Sequence, residues 1–292
     1  MQTPFDSQEV RRLIRLAVEE DLGAGDVTTA SVVPGDVRAR AVVVSRADGI
    51  VAGLPLIEKV ADEFGSGVRV ELKAKDGDAV RPGEALAIIE GPARVLLSAE
   101  RTVLNFLGRL SGVATLTRRF VEAVAGTAAR IYDTRKTTPG WRGLEKYAVR
   151  VGGGENHRMG LYDQVLIKDN HLALMKRAGG TVAEAVGEIR AGHRTVAVEV
   201  EADTEAEVRA AVEAGVDILL LDNMTPEELA AVVKLVGELA GEKPPVLEAS
   251  GGVTLGTVRA VAESGVDRIS VGQLTHSAPA LDLAIEIEGA ES

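Results

Sequence analysis

The chain contains no cysteine, which excludes disulfides, thiolate metal sites and cysteine nucleophiles together. Its four histidines, His157, His171, His193 and His276, show none of the spacings of zinc sites or metalloproteases, so a catalytic zinc is not expected. His193 reads as a structural residue in a helix-to-strand connection. No Gly-x-Ser-x-Gly, Walker-type or Gly-x-Gly-x-x-Gly run occurs, which removes support for hydrolase triads, P-loop chemistry and dinucleotide binding. Apolar runs all fall short of the roughly 18 residues that a membrane span requires. The opening MQTPFDSQEVRR lacks the basic-then-apolar layout of a secretory leader, so a cytoplasmic protein is expected. Aromatics make up only 3%, yet with 46% hydrophobic residues a sizeable core is ample and disorder is excluded.

The net charge of −11 opposes binding to nucleic acid or to an anionic membrane, and neither partner is expected. The charge is uneven, however. Residues 130–171 carry eight Lys/Arg against five Asp/Glu. A basic island on an acidic chain suits a small anionic ligand held locally, and equally suits a few cations on a helix face.

At 292 residues, two domains or one large barrel are expected. Asp6 and Glu9 have capping-box spacing ahead of a helical stripe (Val10, Leu13, Ile14, Ala17, Val18) that Gly23 ends, with a loop over Gly23–Thr29. Residues 37–90 switch to strand-like runs, with a helix over Pro55–Phe64. The stretch Asp76–Leu86 looks like half of a biotinyl or lipoyl carrier, yet no lysine follows before Lys136, so a hairpin turn is the better reading. Ser98–Val124 is helical again. The first part of the chain therefore reads as an α+β domain.

The second part alternates. Strand-like runs at 131–136, 165–170, 196–201, 218–223, 246–251 and 269–272 are separated by amphipathic helices at 182–190, 205–214, 226–240 and 255–264. That alternation implies parallel strands covered by helices, most naturally closed into an α/β barrel whose C-terminal strand ends face the site. Arg135, Lys136, Lys168, Glu201, Asp222, Ser250 and Gly272 would then share one mouth. Each alone reads as a solvated loop residue or a cap; six polar strand ends in series point to a shared site.

Three kinds of chemistry meet there. Arg135, Lys136, His157, Arg158 and Lys168 would over-stabilise a monoanion, so a dianionic or polyanionic substrate is indicated. Gly152–Gly154 just before His157 reads as a plain loop. Glu201 and Asp222 could hold Mg²⁺, grip a ribose hydroxyl or stabilise a cationic transition state, and Asp222 could alternatively cap the next turn. Ser250, Gly251 and Gly252, ahead of a helix expected from Thr254, together with Gly272, form a phosphate cradle after the last strands.

The motifs EDLGAGDVTT (20–29), ERTVLN (100–105), DTRKTTPG (133–140), GGGENHR (152–158), IKDNH (167–171), EVE (199–201), LDN (221–223), EASGG (248–252) and VGQLTHS (271–277), in this order, resemble the quinolinate phosphoribosyltransferases. The resemblance implies that quinolinate and phosphoribosyl pyrophosphate react with Mg²⁺ to give nicotinate mononucleotide, CO₂ and pyrophosphate, a step of NAD biosynthesis. It implies an α/β fold, an N-terminal α/β sandwich (1–112) with an incomplete seven-stranded α/β barrel (113–273), and a C-terminal helix (274–292) packing back on the first domain. The run pattern supplies six barrel strands; the seventh is expected near Arg150–Gly154 or Ala114–Thr117. The resemblance also implies a homodimer with shared sites, dimer versus hexamer staying open. Arg101 would reach the partner's site and join Arg135, Lys136, His157, Arg158 and Lys168 around quinolinate. Lys136, Glu201 and Asp222 would be catalytic. Glu201, Asp222, Ser250, Gly251, Gly252, Gly272 and His276 would hold phosphoribosyl pyrophosphate, the two acids being also the Mg²⁺ candidates. Rival readings are a phosphoribosyltransferase for nicotinate, a molybdenum-transport-linked relative and a non-catalytic phosphate sensor. Surplus cations oppose the first, and retention of both acids opposes the last.

Overall fold

The computed structural model describes residues 3–193, 195–241 and 243–291 and divides into two compact units. One comprises residues up to 118 with 136–153 and 273 onward; the other comprises 119–135 and 154–272. In chain order the elements begin with α1 (Gln8–Leu22), α2 (Val27–Val32), β1 (Arg38–Ser45), β2 (Gly49–Ile50), α3 (Leu56–Phe64), β3 (Arg69–Leu72), β4 (Ala79–Val80), β5 (Ala85–Pro92) and α4 (Ala93–Ala123). They continue with β6 (Arg130–Tyr132), α5 (Arg142–Val151), β7 (Val165–Ile167), α6 (Asp169–Arg177), α7 (Val182–Gly192), β8 (Val198–Ala202) and α8 (Glu205–Glu213). The last are β9 (Ile218–Asp222), α9 (Pro226–Leu239), β10 (Val246–Ser250), α10 (Val258–Glu263), β11 (Arg268–Ser270), α11 (Gln273–His276) and β12 (Leu283–Glu291).

The first unit is built on an antiparallel sheet in the order β12-β1-β5-β3. β1 forms its centre because Ala41 and Val43 are apolar on one face and fully buried. The C-terminal segment departs from expectation: 283–291 is a strand paired with β1, where a helix was expected. Leu281, Leu283, Ile285 and Ile287 alternate with other residues at the period of two that a strand requires. Ser7, rather than Asp6, caps α1 by accepting the Val10 N–H (3.2 Å), leaving Asp6 to pair with Lys59 (2.6 Å). The expected loop to Thr29 stops early, since Asp26 accepts the Thr29 N–H (2.8 Å) and starts α2. The turn at 81–84 exists, but β4 pairs with β2 and β5 pairs with β1 and β3, so it joins two sheets.

The second unit contains a parallel sheet in the order β6-β11-β10-β9-β8-β7, with α6–α10 in its connections. This is the expected α/β barrel, with six strands. The seventh position is a single parallel bridge from Glu155 to Tyr132, just beyond Arg150–Gly154, whereas Ala114–Thr117 lies inside α4. Among the described residues no ladder joins β7 to this bridge, so the barrel is incomplete. Gly152 is no plain loop residue: a Cβ there would lie 2.5 Å from the Ala114 carbonyl, so close packing of α5 against α4 requires glycine.

Candidate active site

Strand alternation builds the site. Parallel registers place Glu199 beside Leu166, Glu201 beside Leu220, Glu248 beside Arg268 and Ser250 beside Asp222, all on one face of the sheet. That face points inward, because Glu199 on β8 and Glu248 on β10 are fully buried and both approach His157. β8 thus presents two acids at successive inward positions: Glu199 in the interior and Glu201, 8% exposed, nearer its C-terminal end.

Two arginines of this unit, Arg135 and Arg158, are neighbours, while Lys168 faces the acids. Burial and the neighbouring charge of Arg135 lower the proton affinity of Arg158, so two guanidiniums crowd one region where an anion would relieve both. Arg158 donates to the Gln164 carbonyl (3.1 Å), and Asp163 closes the loop by accepting the Met159 and Gly160 N–H groups (2.6 and 2.8 Å). Lys168 follows β7, with Nζ 4.0 Å from Glu201 Oε2; its backbone N–H donates to His171 Nδ1 (2.9 Å). His157 turns inward. Nε2 lies 3.1 Å from Glu199 and 3.4 Å from Glu248, while Nδ1 accepts the Arg158 N–H (2.8 Å).

The acids form a second group. Burial and the charges of Asp222, Asp169 and Asp203 push the Glu201 carboxyl above its usual range, against the pull of Lys168. Asp203 is raised for similar reasons: burial first, then Glu207, Asp222 and Asp169. Asn223, with a left-handed φ of 55°, donates from Nδ2 to Asp222 (2.7 Å) and from its N–H to the Ser250 carbonyl (2.9 Å), lacing the ends of β9 and β10 together. A recess of about 700 Å³ runs from Asp203, Asp222 and Asn223 along α9 past Glu228, Leu235 and Glu238; Glu201 does not line it. An all-oxygen pair of acids at neighbouring strand ends has the donor chemistry of a Mg²⁺ site completed by substrate phosphate.

Ser250 ends β10, and Gly251 and Gly252 follow it with positive φ (93° and 59°). At Gly251 a Cβ would meet Asn223 Oδ1 at 2.2 Å, so glycine is obligatory beside that lacing residue. The expected helix from Thr254 begins only at Val258, after a turn. Gly251 and Gly252 therefore offer loop backbone, whereas Gly272, after β11, immediately precedes the short helix α11.

Arg101, Lys136 and His276 belong to the first unit. Arg101 is exposed on α4 and lines a recess with Asn105, Arg109, Thr138 and Trp141. The Lys136 carbonyl accepts from Thr275 Oγ1 (2.7 Å), next to His276, whose Nδ1 lies 2.6 Å from Ser277 Oγ. Sequence reasoning assigned no role to Glu199, Glu248, Gln164 or Asn223. The signal for the first two was present: a charged residue at an inward position of an otherwise apolar, doubly covered strand must find a partner inside.

Two family models cover the chain: the N-terminal domain of quinolinate phosphoribosyl transferase matches residues 26–111 and the C-terminal domain matches residues 113–286. The chain is 44% identical over 281 residues to the probable nicotinate-nucleotide pyrophosphorylase [carboxylating] of Bacillus subtilis, covering 96% of this chain and 93% of that one. It is 43% identical to the nicotinate-nucleotide pyrophosphorylase [carboxylating] of Mycobacterium leprae, covering 97% and 98%. The nicotinate-nucleotide pyrophosphorylase structure from Francisella tularensis superposes with a TM-score of 0.90 at 33% identity, covering 99% and 100%. With both domains matched in order over nearly its whole length, the chain belongs to the quinolinate phosphoribosyltransferase family.

Proposed function

We propose that the protein transfers the phosphoribosyl group of phosphoribosyl pyrophosphate to the ring nitrogen of quinolinate, yielding nicotinate mononucleotide, CO₂ and pyrophosphate for NAD biosynthesis. The observation that carries this reading is the crowding of Arg135 and Arg158 in the same unit as the Glu201–Asp222 acids. A dicarboxylate answers the first group; a ribose carbon that turns positive answers the second.

In this reading the ring nitrogen bonds to the anomeric carbon as the bond to pyrophosphate breaks, and the leaving group takes the electron pair. Glu201 and Asp222 stabilise the developing oxocarbenium charge. The bond to the adjacent carboxylate then breaks with its electron pair left on the ring carbon, where the neighbouring positive nitrogen stabilises it; CO₂ departs and that carbon takes up a proton. No covalent enzyme nucleophile is needed. Arg135, Arg158 and Lys168 position the carboxylates, and Ser250, Gly251, Gly252 and Gly272 cradle phosphate. Glu201 and Asp222 would hold Mg²⁺, which when bound neutralises pyrophosphate charge. Lys136, His276 and, from a second copy of the chain, Arg101 complete the site in a homodimer, whether or not dimers assemble further. A cysteine-free chain whose described helices are never long and apolar enough to cross a membrane fits a cytoplasmic enzyme.

The test is incubation with phosphoribosyl pyrophosphate, Mg²⁺ and either quinolinate or nicotinate, following CO₂ and mononucleotide. Turnover of quinolinate with equimolar CO₂ is expected; turnover of nicotinate alone would overturn the reading. Arg135→Ala removes a charge-assisted carboxylate contact of roughly 1.5–3 kcal/mol, so quinolinate affinity should fall about 10–150-fold. Affinity for phosphoribosyl pyrophosphate should change much less.

A further inference from the structure

The buried interior of the barrel contains a cluster that the transfer reaction does not itself require. Glu199 has no exposed surface, yet its Oε2 takes two partners: His157 Nε2 at 3.1 Å and Gln164 Nε2 at 2.6 Å. Both lead to Arg158: Nδ1 of His157 accepts its backbone N–H, and the backbone carbonyl of Gln164 accepts from its guanidinium. Asp133, also fully buried, fixes the remaining side by accepting the His157 N–H (2.8 Å) and the Asn156 amide (2.6 Å). Glu248 approaches the same Nε2 at 3.4 Å and is itself anchored by Ser270 and faced by Arg268 at 3.9 Å.

Three features of this cluster bear on its role. His157 is only 7% exposed in its side chain, and both ring nitrogens face protein groups. The acceptor role of Nδ1 places the proton on Nε2, between the two glutamates. A carboxylate sunk among apolar strands costs several kcal/mol unless it is well hydrogen-bonded, so its presence here calls for a role that an apolar residue could not fill. A leucine at position 199 would fill the space and leave the His157 ring and the Gln164 amide without their shared acceptor.

We propose that Glu199 is a positioning residue that sets the guanidinium of Arg158 through His157 and Gln164, and that His157 serves this brace rather than touching quinolinate. This rests on the reading of Arg158 as a quinolinate-binding group. Two N–H donors on one buried oxygen anchor the His157 ring and the Gln164 side chain; the ring then holds the backbone of Arg158, and the backbone carbonyl of the anchored Gln164 holds its guanidinium. Glu248 supports the ring from β10, so the brace ties the 157–164 loop to two strands of the barrel.

The experiment is steady-state kinetics on Glu199→Gln, which keeps size and removes charge, alone and combined with Arg158→Ala. Loss of one hydrogen-bonded contact to a charged group should raise KM for quinolinate about tenfold or more. KM for phosphoribosyl pyrophosphate should change less than about threefold, the scatter of an uninvolved contact. In the Arg158→Ala background the same substitution should have little further effect, because the two residues act as one unit. Additive losses in the double variant, or equal losses for both substrates, would overturn the proposal. Gln164→Ala removes one arm of the brace without a buried vacancy, and it carries the same test should Glu199→Gln fold poorly. Nitrogen and proton NMR of the four histidines, with His157 assigned by His157→Gln, gives a readout independent of turnover. A slowly exchanging Nε2 proton in the native protein, lost in Glu199→Gln, supports the brace even if another substrate proves correct; a freely exchanging one refutes it.

Discussion

Arg109 donates two hydrogen bonds, at 3.0 and 2.7 Å, to a single oxygen of Glu145, a side chain with no exposed surface. Glu145 also accepts the N–H and hydroxyl of Thr138 (3.0 and 2.8 Å), while Arg109 reaches the carbonyls of Thr275 and Ala278. This one pair therefore joins α4, α5, the segment after Lys136 and the segment around His276. The segments that carry both site candidates, Lys136 and His276, are tied to this pair.

Glu145→Ala strands a largely buried guanidinium and two donors of Thr138. A loss of about 3 kcal/mol is expected, at the lower end for broken buried pairs because Arg109 is 24% exposed in its side chain. Denaturant unfolding checks this: a lower midpoint at unchanged slope is expected. A loss under about 1 kcal/mol would place the pair with ordinary surface ion pairs.

Gly251→Ala forces a Cβ to within 2.2 Å of Asn223 Oδ1 at a φ of 93°. The left-handed backbone alone costs about 1–2 kcal/mol, and the clash displaces the residue that laces Asp222 to Ser250. KM for phosphoribosyl pyrophosphate should rise about tenfold or more, with quinolinate binding nearly unchanged. Gly252→Ala meets no atom within 4 Å and should show a milder effect.

Glu201→Gln and Asp222→Asn should reduce kcat while leaving quinolinate affinity largely intact, since an interaction strongest in the transition state appears in kcat. Kinetics at several Mg²⁺ concentrations separate this from metal anchoring. A defect confined to KM for phosphoribosyl pyrophosphate and relieved by added Mg²⁺ would make these acids metal ligands alone.

Mixing inactive Arg101→Ala with inactive Lys136→Ala protein should restore part of the activity through hybrid dimers. The motivation is the exposed guanidinium of Arg101 on α4, beside a recess of the first unit. Subunit exchange without recovered activity would show that each site is completed within one chain.

Hydrophobic periodicity made most elements legible. The runs at 218–223 and 246–251 became β9 and β10 within a residue of their expected ends, because a strand covered on both faces must be apolar throughout. Strand-end residues were legible for the same reason: a parallel strand opens its C-terminal end toward the site, so Lys168, Glu201, Asp222 and Ser250 could be named from position alone. The alternating tail 281–287 carried a strand signal too, yet a strand forms there only because β1 has a free edge to pair with.

Partnership was decided by tertiary structure. Glu199 lies two residues from Glu201 on the same face of β8, and nothing local distinguishes a buried brace from an acid near the mouth. The difference arises because His157 and Gln164, remote in sequence, converge on one and Lys168 and Asp222 on the other. Asn223 and Gly251 are a second case, as position 251 has no room for a Cβ because the Asn223 side chain lies there. Sequence alone fixes periodicity, charge and the identity of strand-end residues, since these depend on neighbours along the chain. The fates of Glu199, Arg109 and Gly152 depend on what the fold brings within a few ångströms, and that is set only when distant segments pack.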